Sequence, residues 1–487
     1  MCGICGKISL NGIEVDPEVI RRMTAVLSHR GPDGDGVYIR NGPSVSVGLG
    51  HRRLSIIDLS EAGCQPMPNE DESLWVVFNG EIYNFQTLRT ALEEKGHRFR
   101  SRTDAEVLLH LYEDEGAAGI SKLRGMFAFA LWDERTDSLF LARDRVGIKP
   151  LVYYWDGRTF LFASEIKALL QDPTVPKEID WEAVELYLAF NYIPAPRTVF
   201  KNIRKLRPAH WLILKDGTVK EEPWWDIDGG AASPDPVPID YAGQKELLFD
   251  ALDDAVRSHM VADVPVGAFL SGGIDSSIIV GLMSRHSDRP VKTYSIGYRD
   301  MPLFDETRYA REVAAFHHTD HHEIVLSVGD ILSAVPEVLD SFDEPFADSS
   351  AIPSFLVSRE TARSVKVALS GDGGDELFAG YRMYAGEYWY SFYRHIPATL
   401  RRSLIEPLLL RLPDSRDNLV ADFSRRMKKF MRGAGDTFEG RFLSWNEIFA
   451  REQREGLLRR RTDGNPDPGR ELLSTRLREF QGSRLNR

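Results

Sequence analysis

The chain is poor in cysteine, has no excess of positive charge and has no long apolar run. Three cysteines in 487 residues are too few for a disulfide framework. The net charge of −12 argues against a general nucleic-acid or anionic-membrane partner. No apolar run approaches the ~20 residues of a membrane span, and the first residues resemble no export signal. We therefore expect a cytoplasmic protein, without nucleic-acid or membrane partners, whose 43% apolar content suffices for two or three domains.

Two groups of potential metal ligands lack the spacing of a metal site. Cys2 and Cys5 form a C-x-x-C pair, but no second ligand pair follows at zinc-finger distance. The histidines of residues 317–322 span the predicted end of a helix and the start of a strand, where adjacent side chains point apart. We therefore do not expect either group to bind a metal, and we expect Cys64 to be a plain thiol in a loop.

A glycine turn between an apolar run and a helical pattern is the strongest local signal. Residues 264–270 predict a short buried strand, and residues 278–280 predict the core face of a helix. Between them, Gly272 and Gly273 let a polyanion approach the backbone, and the helix directs free N–H groups and its positive dipole end toward it. This pattern favours a phosphate site, although a turn without a ligand would have the same outline.

The side chains of this turn refine the prediction. Ser271, Ser276 and Ser277 add hydroxyl donors, and Asp275 fits beside a phosphate if a divalent cation lies between them. No Gly-Lys-Ser/Thr follows, so the turn is not a Walker A loop. The Ser-Gly-Gly-x-Asp-Ser string resembles the pyrophosphate loop of ATP pyrophosphatases, which split ATP into AMP and pyrophosphate.

The amino terminus offers a candidate nucleophile. Cys2 follows Met1, so removal of Met1 would place a thiol and a free α-amine on one residue. An α-amine with a pKa near ~8 can accept the thiol proton at neutral pH. A second-position cysteine without a role is the alternative.

The first part of the chain predicts many short strands and few helices, which favours antiparallel sheets packed under helices. The predicted helices cover residues 17–27 and 85–95. The predicted strands cover residues 45–49, 74–78, 126–132, 139–142, 151–154 and 160–163.

Motifs spread along this part resemble the class II glutamine amidotransferase family, whose fold is an αββα Ntn-hydrolase sandwich with an N-terminal cysteine. The motifs are His29–Asp33, His51–Ile56, Asn79–Asn84, Thr103–Asp104 and Arg143–Pro150. The resemblance implies that Cys2 attacks glutamine. Arg53 would hold its α-carboxylate and Asp104 its α-ammonium.

The resemblance also implies an oxyanion hole formed by the Asn79 side chain and the Gly80 backbone N–H. Taken singly, each motif has a plainer interpretation. Arg53 and Asp104 would suit a surface ion pair, and Asn-Gly is a strong hairpin-turn dipeptide.

A change of composition predicts the domain boundary. Residues 229–238 are rich in glycine, alanine and proline, which is typical of a linker. We predict a glutaminase domain over residues 1–225, a linker over 226–240, an ATP-pyrophosphatase-like synthetase domain over 241–381, and a helical, arginine-rich region over 382–487.

After the linker, apolar strands alternate with helical patterns, which predicts a parallel sheet with helices on both faces. Ligands on such sheets bind at the carboxyl ends of the strands, where Ser271 lies. The predicted strands cover residues 264–270, 292–296, 323–326 and 365–369; the predicted helices include the segment from Leu248 to Val256 and residues 306–316, 329–339 and 353–361.

A second glycine-rich loop, residues 370–376, follows the last of these strands. With the first loop it resembles the synthetase domain of the asparagine synthetase family. The resemblance implies that Asp275 and Asp375 share a magnesium ion and that Ser370 and Gly371 line an ATP pocket.

The same resemblance implies that the backbone of Phe269, Leu270 and Ile296 contacts adenosine. It also implies that Asp372 helps to form or aminate an acyl-adenylate. That position is commonly glutamate in the family, which leaves the reach of the shorter aspartate open.

The family resemblance ends near residue 381. The remaining chain is arginine-rich and lacks the family's Arg-Val-Pro-Phe-Leu-Asp stretch, so the tail is either truncated or diverged.

The sequence predicts a glutamine-hydrolysing ligase that uses ATP and magnesium to amidate a carboxylate, with the side chain of aspartate favoured. The alternatives are another acid acceptor, a protein with glutaminase activity alone, or a non-catalytic scaffold. Residues 342–353, where the acceptor is expected, contain no arginine for an α-carboxylate. The oligomeric state stays open, with a homodimer among the options.

Overall fold

A computed structural model describes residues 1–227, 240–301, 304–412, 419–433, 437–459 and 467–479. The residues whose composition predicted a linker, 229–238, lie outside these ranges. The chain forms two compact units. The first contains Met1–Asp180, Ala195–Glu344 and Ser349–Gly371, and the second contains Trp181–Pro194, Pro345–Asp348 and Asp372–Arg487.

The amino-terminal part contains two antiparallel six-stranded sheets. One sheet has the order β10-β8-β9-β1-β3-β2 and the other β12-β11-β7-β6-β5-β4. The strands are β1 (Gly3–Leu10), β2 (Gly34–Asn41), β3 (Val45–Arg53), β4 (Met67–Pro68), β5 (Leu74–Ile82), β6 (Gly125–Asp133), β7 (Ser138–Arg143), β8 (Val152–Trp155), β9 (Thr159–Ala163), β10 (Ile203–Lys205), β11 (His210–Lys215) and β12 (Thr218–Pro223).

The helices of this part that belong to the first unit pack on the outer faces of the sheets: α1 (Pro17–Ala25), α2 (Phe85–Glu94), α3 (Glu106–Glu115) and α4 (Ile166–Leu169). The next helix, α5 (Trp181–Phe190), belongs to the second unit. α1 begins where predicted, because Asp16 accepts the N–H of Glu18 at 2.9 Å and Pro17 occupies the first turn.

The alternation of side chains along each strand creates the layers. On β1, Ile4 and Ile8 face the core between the two sheets, whereas Cys5 faces the core beneath α1. On β5, Val77 faces the inter-sheet core and Phe78 packs with the α2 and α3 side chains. The predicted αββα sandwich is confirmed.

The carboxyl-terminal part of the first unit contains a parallel sheet of order β15-β14-β13-β16, again as predicted. Its strands are β13 (Val266–Phe269), β14 (Lys292–Tyr298), β15 (Asp320–Leu326) and β16 (Val367–Leu369). Its helices are α6 (Tyr241–His259), α7 (Ile274–Arg285), α8 (Thr307–Phe316), α9 (Val328–Ser341) and α10 (Ala351–Thr361).

The described residues from Asp372 onward are helical and belong to the second unit. Their helices are α11 (Gly374–Leu377), α12 (Arg382–Tyr393), α13 (Ala398–Leu400), α14 (Glu406–Leu410), α15 (Leu419–Gly433), α16 (Phe438–Asn446), α17 (Arg451–Leu458) and α18 (Pro468–Glu479). The arginines at 460, 461 and beyond 479 lie outside the described residues. Within the described ranges, no helix combines the length and apolar character that membrane crossing requires.

Candidate active sites

A cavity of about 260 Å³ brings together the residues predicted to act on glutamine. Its walls include Cys2, Arg53, Asn79, Gly80 and Asp104. These residues come from the start of β1, the end of β3, the middle of β5 and the segment before α3. The two antiparallel sheets therefore converge on one site.

Cys2, directly before β1, is held in position by its neighbours. Its Sγ accepts the Leu54 N–H at 3.4 Å, and its carbonyl oxygen accepts from Nε of Arg30 at 2.9 Å. Burial raises the pKa of the Cys2 thiol, an effect that the adjacent amino terminus opposes. Burial also lowers the pKa of the Met1 amine to about 6. The predicted base is the α-amine that Cys2 itself would carry after removal of Met1.

Asn79 carries a side-chain amide whose hydrogen-bonding capacity is unused. The residue is fully buried on β5, and neither its Nδ2 nor its Oδ1 has a hydrogen-bond partner. Leaving a buried polar group unpaired costs about 1–3 kcal/mol. Because Asn79 lines the cavity, its Nδ2 is available to donate a hydrogen bond to a bound group.

Gly80 is required by the close pairing of β5 with β6. A Cβ atom at this position would lie 2.3 Å from the Met126 carbonyl oxygen. Asn79 and Gly80 pair with Ala128 and Phe127 inside these strands. The plainer interpretation of Asn-Gly as a hairpin turn is therefore wrong.

Arg53 and Asp104 carry opposite charges into the cavity wall. The Arg53 guanidinium donates to the carbonyl oxygens of Ser60, at 2.8 Å, and of Asp58. Oδ2 of Asp104 accepts the Ile82 N–H at 2.8 Å. Burial raises the pKa of Asp104 to about 6, so a bound ammonium would favour its charged form. Both residues are buried, which contradicts the surface ion-pair interpretation.

Glu81 and Lys149 also line the cavity, although the sequence reasoning assigned them no role. Burial, together with repulsion from Asp104, raises the pKa of Glu81 to about 7. Burial lowers the pKa of Lys149. Both residues lie inside the recognised motifs, but only the folded chain places them beside the other charged groups.

Asp144 explains the Arg143–Pro150 motif. Its carboxylate accepts the N–H groups of Val146, Ile148 and Lys149 at 3.2, 2.9 and 3.0 Å. The loop is thereby folded around one buried carboxylate, and Lys149 is directed to the cavity.

The parallel sheet completes the wall of the same cavity, which the sequence did not predict. Lys366, directly before β16, and Val367 and Ala368 on that strand line the cavity. Lys366 Nζ lies 2.7 Å from Oδ2 of Asp33, which also accepts the Ser55 N–H at 2.8 Å. One strand therefore begins at the glutamine cavity and ends at the second glycine-rich loop.

The first glycine-rich loop is formed by its own hydrogen bonds. Ser271 Oγ lies 3.0 Å from Ser276 Oγ and accepts the Gly273 N–H at 3.1 Å. Ser277 Oγ donates to the Gly273 carbonyl at 2.6 Å. Gly272 has a φ of +81°, and a Cβ there would lie 2.5 Å from the Ala310 backbone nitrogen, so this position requires glycine.

The second loop begins against the first. β13 and β16 are parallel neighbours, with Ala268 opposite Leu369, so Ser271 and Ser370 leave the same edge of the sheet. A Cβ on Gly371 would lie 2.8 Å from Cβ of Asp275 and 2.9 Å from the Ser276 nitrogen.

The residues predicted to contact adenosine lie on the two central strands or directly after them. Phe269 ends β13, and the Leu270 N–H donates to the Tyr294 carbonyl at 2.8 Å. Ile296 lies within β14, which continues to Tyr298 rather than ending at residue 296 as predicted.

Asp372 and Asp375 belong to the second unit, so their predicted roles stay predictions. Asp375 lies on α11, and its carbonyl oxygen accepts the Gly380 N–H at 3.0 Å. A Cβ at Gly380 would lie 2.0 Å from Oδ1 of Asp375, so glycine is required there to leave this carboxylate its position.

Side chains of the histidine run (residues 317–322) and of the Cys2–Cys5 pair, which were considered above as metal ligands, have neighbours within the protein. Nδ1 of His321 lies 2.9 Å from Oγ1 of Thr293, and its Nε2 lies 3.3 Å from Oγ of Ser295. Cys5 is buried with its Sγ 3.5 Å from Oγ1 of Thr24. Cys2 lines the glutamine cavity.

Family models match both parts of the chain. A glutamine amidotransferase domain matches residues 1–225, and an asparagine synthase domain matches residues 247–485. The second match extends well beyond residue 381, so the family relationship includes the arginine-rich tail.

Curated proteins match most of the chain. A putative glutamine-hydrolysing asparagine synthetase from Methanocaldococcus jannaschii is 40% identical, over 82% of this chain and 79% of the relative. A glutamine-hydrolysing asparagine synthetase from Bacillus subtilis is 39% identical, over 83% of this chain and 63% of the relative. An amidase named chry2 from Gibberella zeae is 32% identical, over 78% of this chain and 59% of the relative. The chain thus spans about three fifths of the length of the last two relatives.

These matches agree with the cavity around Cys2 and with the two glycine-rich loops at one edge of the parallel sheet, since all three indicate the same family. The chain belongs to the family of glutamine-hydrolysing asparagine synthetases.

Proposed function

We propose that the protein is an ATP-dependent, glutamine-hydrolysing asparagine synthetase with two reaction centres in one chain. The observation that carries the proposal is the single cavity that holds Cys2, Arg53, Asn79, Gly80 and Asp104. Its wall continues onto β16, which leads directly to Ser370 and Gly371.

At the first centre, the Cys2 thiolate attacks the side-chain amide of glutamine. Arg53 binds the α-carboxylate and Asp104 the α-ammonium. The oxyanion receives hydrogen bonds from Nδ2 of Asn79 and from the Gly80 backbone N–H. Collapse of the tetrahedral species releases ammonia and leaves a thioester, which water then hydrolyses to glutamate and free thiol.

At the second centre, ATP is the substrate that activates a carboxylate. Ser271, Gly272, Gly273, Ser276 and Ser277 offer hydroxyl and backbone N–H donors to its phosphates, where α7 adds the positive end of its dipole. Attack of the carboxylate on the α-phosphate releases pyrophosphate and gives an acyl-adenylate. Ammonia then displaces AMP, and the amide forms.

A magnesium ion would neutralise phosphate charge at this centre. Asp275, in the first turn of α7 beside Gly371, has the ligand chemistry and position for it. Its sharing of the ion with Asp375, and the role of Asp372 on the acyl-adenylate, rest on sequence resemblance.

The acceptor that we propose is the side chain of aspartate, in keeping with the names of the M. jannaschii and B. subtilis relatives. Another acid is the second candidate, because residues 342–353 contain no arginine and because a relative named an amidase also matches.

Pyrophosphate release tests the proposal. The purified chain is incubated with ATP, MgCl2 and ammonium chloride, with and without aspartate, and pyrophosphate and asparagine are measured. Release that requires aspartate and equals asparagine formed is the expected result. Release that requires a different acid would reassign the acceptor. Glutaminase activity with no pyrophosphate from any acid tested would overturn the ligase function.

A further inference from the structure

A cluster of histidine and glutamate side chains lies outside the lining of the glutamine cavity. Glu70 follows β4, His97 follows α2, and His110 lies on α3. Each of the three places one nitrogen or carboxylate oxygen within 4.8 Å of the other two. A tetrahedral zinc ion with ligands at 2.0–2.2 Å holds neighbouring ligand atoms roughly 3.4 Å apart. Small side-chain movements would therefore bring these atoms to zinc-binding distance.

Glu113, one turn after His110 on α3, places a carboxylate oxygen beside both imidazoles. Its Oε2 lies 3.1 Å from Nδ1 of His110 and 3.6 Å from Nδ1 of His97. Nδ1 of His110 also lies 3.6 Å from Oε2 of Glu70. The Nδ1 atoms of both imidazoles thus face the same carboxylate oxygen, at separations close to those of a tetrahedral site.

The opposite atoms of three of these side chains are held by the protein. Nε2 of His97 lies 2.9 Å from Oδ1 of Asp114. The other carboxylate oxygens have donors as well: Glu70 Oε1 accepts the Arg98 N–H at 3.0 Å, and Glu113 Oε1 accepts from Nδ2 of Asn69 at 2.8 Å. Partners that orient the far side of each ligand are typical of metal sites.

The second ring nitrogen of His110 is compatible with a metal on Nδ1. Its side chain is 1% exposed, and its Nε2 has no hydrogen-bond partner. The nearest carboxylate to that atom, Oε1 of Glu106, lies 3.8 Å away. A metal on Nδ1 leaves the neutral ring with its proton on Nε2, directed toward a carboxylate, which is the usual arrangement of a liganding histidine.

We propose that Glu70, His97, His110 and Glu113 bind a divalent transition metal of the zinc class. Two imidazoles and two carboxylates suit zinc, and four protein ligands make a closed, structural site. The metal would join the loop after β4, the segment after α2 and helix α3. The chain between His97 and His110 includes Asp104, so the site would brace the segment that carries a cavity residue.

Zinc binding by the full-length chain tests this site. All samples carry Cys2→Ala and Cys64→Ser, since the thiols of these two residues would also bind zinc. After dialysis against chelator, zinc affinity is measured by titration and bound zinc by elemental analysis. We expect about one zinc per chain and a higher melting temperature in zinc than without it.

Matched variants locate the ion. His97→Gln and Glu70→Gln each remove a ligand from a partly exposed side chain and should weaken zinc binding at least tenfold. Asp114→Asn removes the carboxylate charge that faces His97 and Lys95 but no proposed ligand, and should weaken zinc binding by about 10- to 100-fold. His322→Gln, a control in the histidine run, should leave the affinity unchanged. Circular dichroism checks that each variant is folded. The proposal would be overturned if the parent chain failed to bind zinc. It would also be overturned if the folded His97→Gln and Glu70→Gln variants bound zinc as tightly as the parent.

Discussion

The glutamine cavity and the first nucleotide loop of the parallel sheet are built in different ways. In the cavity, buried side chains provide the binding groups. Arg53, Asn79 and Asp104 are 8%, 0% and 7% exposed and lie on strands or on segments next to them. In the loop, Ser271, Gly273 and Ile274 are exposed, and the backbone and hydroxyls offer the donors. One site is a pocket lined by buried side chains; the other is the exposed edge of a sheet.

This difference has consequences for substitution. A buried side chain such as Asn79 holds an unpaired donor in place, so its loss removes a specific interaction from the reacting centre. In the loop, the critical property is backbone conformation, which glycine provides at Gly272. The cavity should therefore be sensitive to changes of chemistry, and the loop to changes of shape.

Replacing the nucleophile should produce the largest separation between the two centres. Cys2→Ala should lower glutamine-dependent amidation on the order of 10⁴-fold or more, because no other group forms the thioester. Ammonia-dependent amidation should persist at the parent rate. Cys64→Ala, at the exposed cysteine, is the matched control and should retain both activities. Loss of both activities in Cys2→Ala would contradict the division into two centres.

Removal of the Asn79 amide should give the next largest effect. Asn79→Ala should lower the glutaminase kcat by about 10²- to 10³-fold, equivalent to roughly 2.7–4 kcal/mol, since the oxyanion loses a donor. The KM for ATP in the ammonia-dependent reaction should not change. A decrease in glutamine affinity with an unchanged kcat would show instead that Asn79 binds the ground state.

A single methyl group added to the first glycine-rich loop should lower the activity of the second reaction centre. Gly272→Ala places a side chain at a φ of +81° and against the Ala310 nitrogen, so ammonia-dependent pyrophosphate release should fall by up to about 30-fold. Gly273→Ala is the comparison: its φ is −70° and the nearest atom is the Ser271 hydroxyl oxygen at 3.2 Å, so its loss should be smaller. Glutaminase activity should survive in both. Equal losses would show that conformation is not the cause.

The pH dependence of glutamine binding should show the smallest effect. Asp104 has its pKa raised to about 6 by burial, so its charged form is lost as the pH falls through 6. The glutaminase KM should rise about tenfold between pH 7 and pH 5, as the anion that binds the ammonium is protonated. In Asp104→Asn, the KM should be high at both pH values. A pH-independent KM in the parent would remove Asp104 from this role.

Much of the fold was predictable because the local patterns are strong. Short apolar runs located β3 and β5 to β9 of the antiparallel sheets, and strand–helix alternation identified the parallel sheet. The sequence did not predict β1, β2, β4 or β10 to β12, which are shorter or less continuously apolar. The limits of β14 were missed, since β14 extends two residues beyond the predicted end at residue 296. Alone, Asn79-Gly80 suggested a turn, because the dipeptide preference contains no information about the neighbouring strand β6.

The amino-acid sequence by itself determined which chemistry the chain can carry: a second-position thiol, glycines where backbone must approach backbone, and acids and hydroxyls after buried strands. Only the tertiary structure decided that Lys366 meets Asp33, that Glu81 and Lys149 share the cavity, and that Glu70 joins His97 and His110. The physical reason is that local patterns specify conformation over a few residues. Contacts between distant segments depend on sheet order and on how the intervening chain closes.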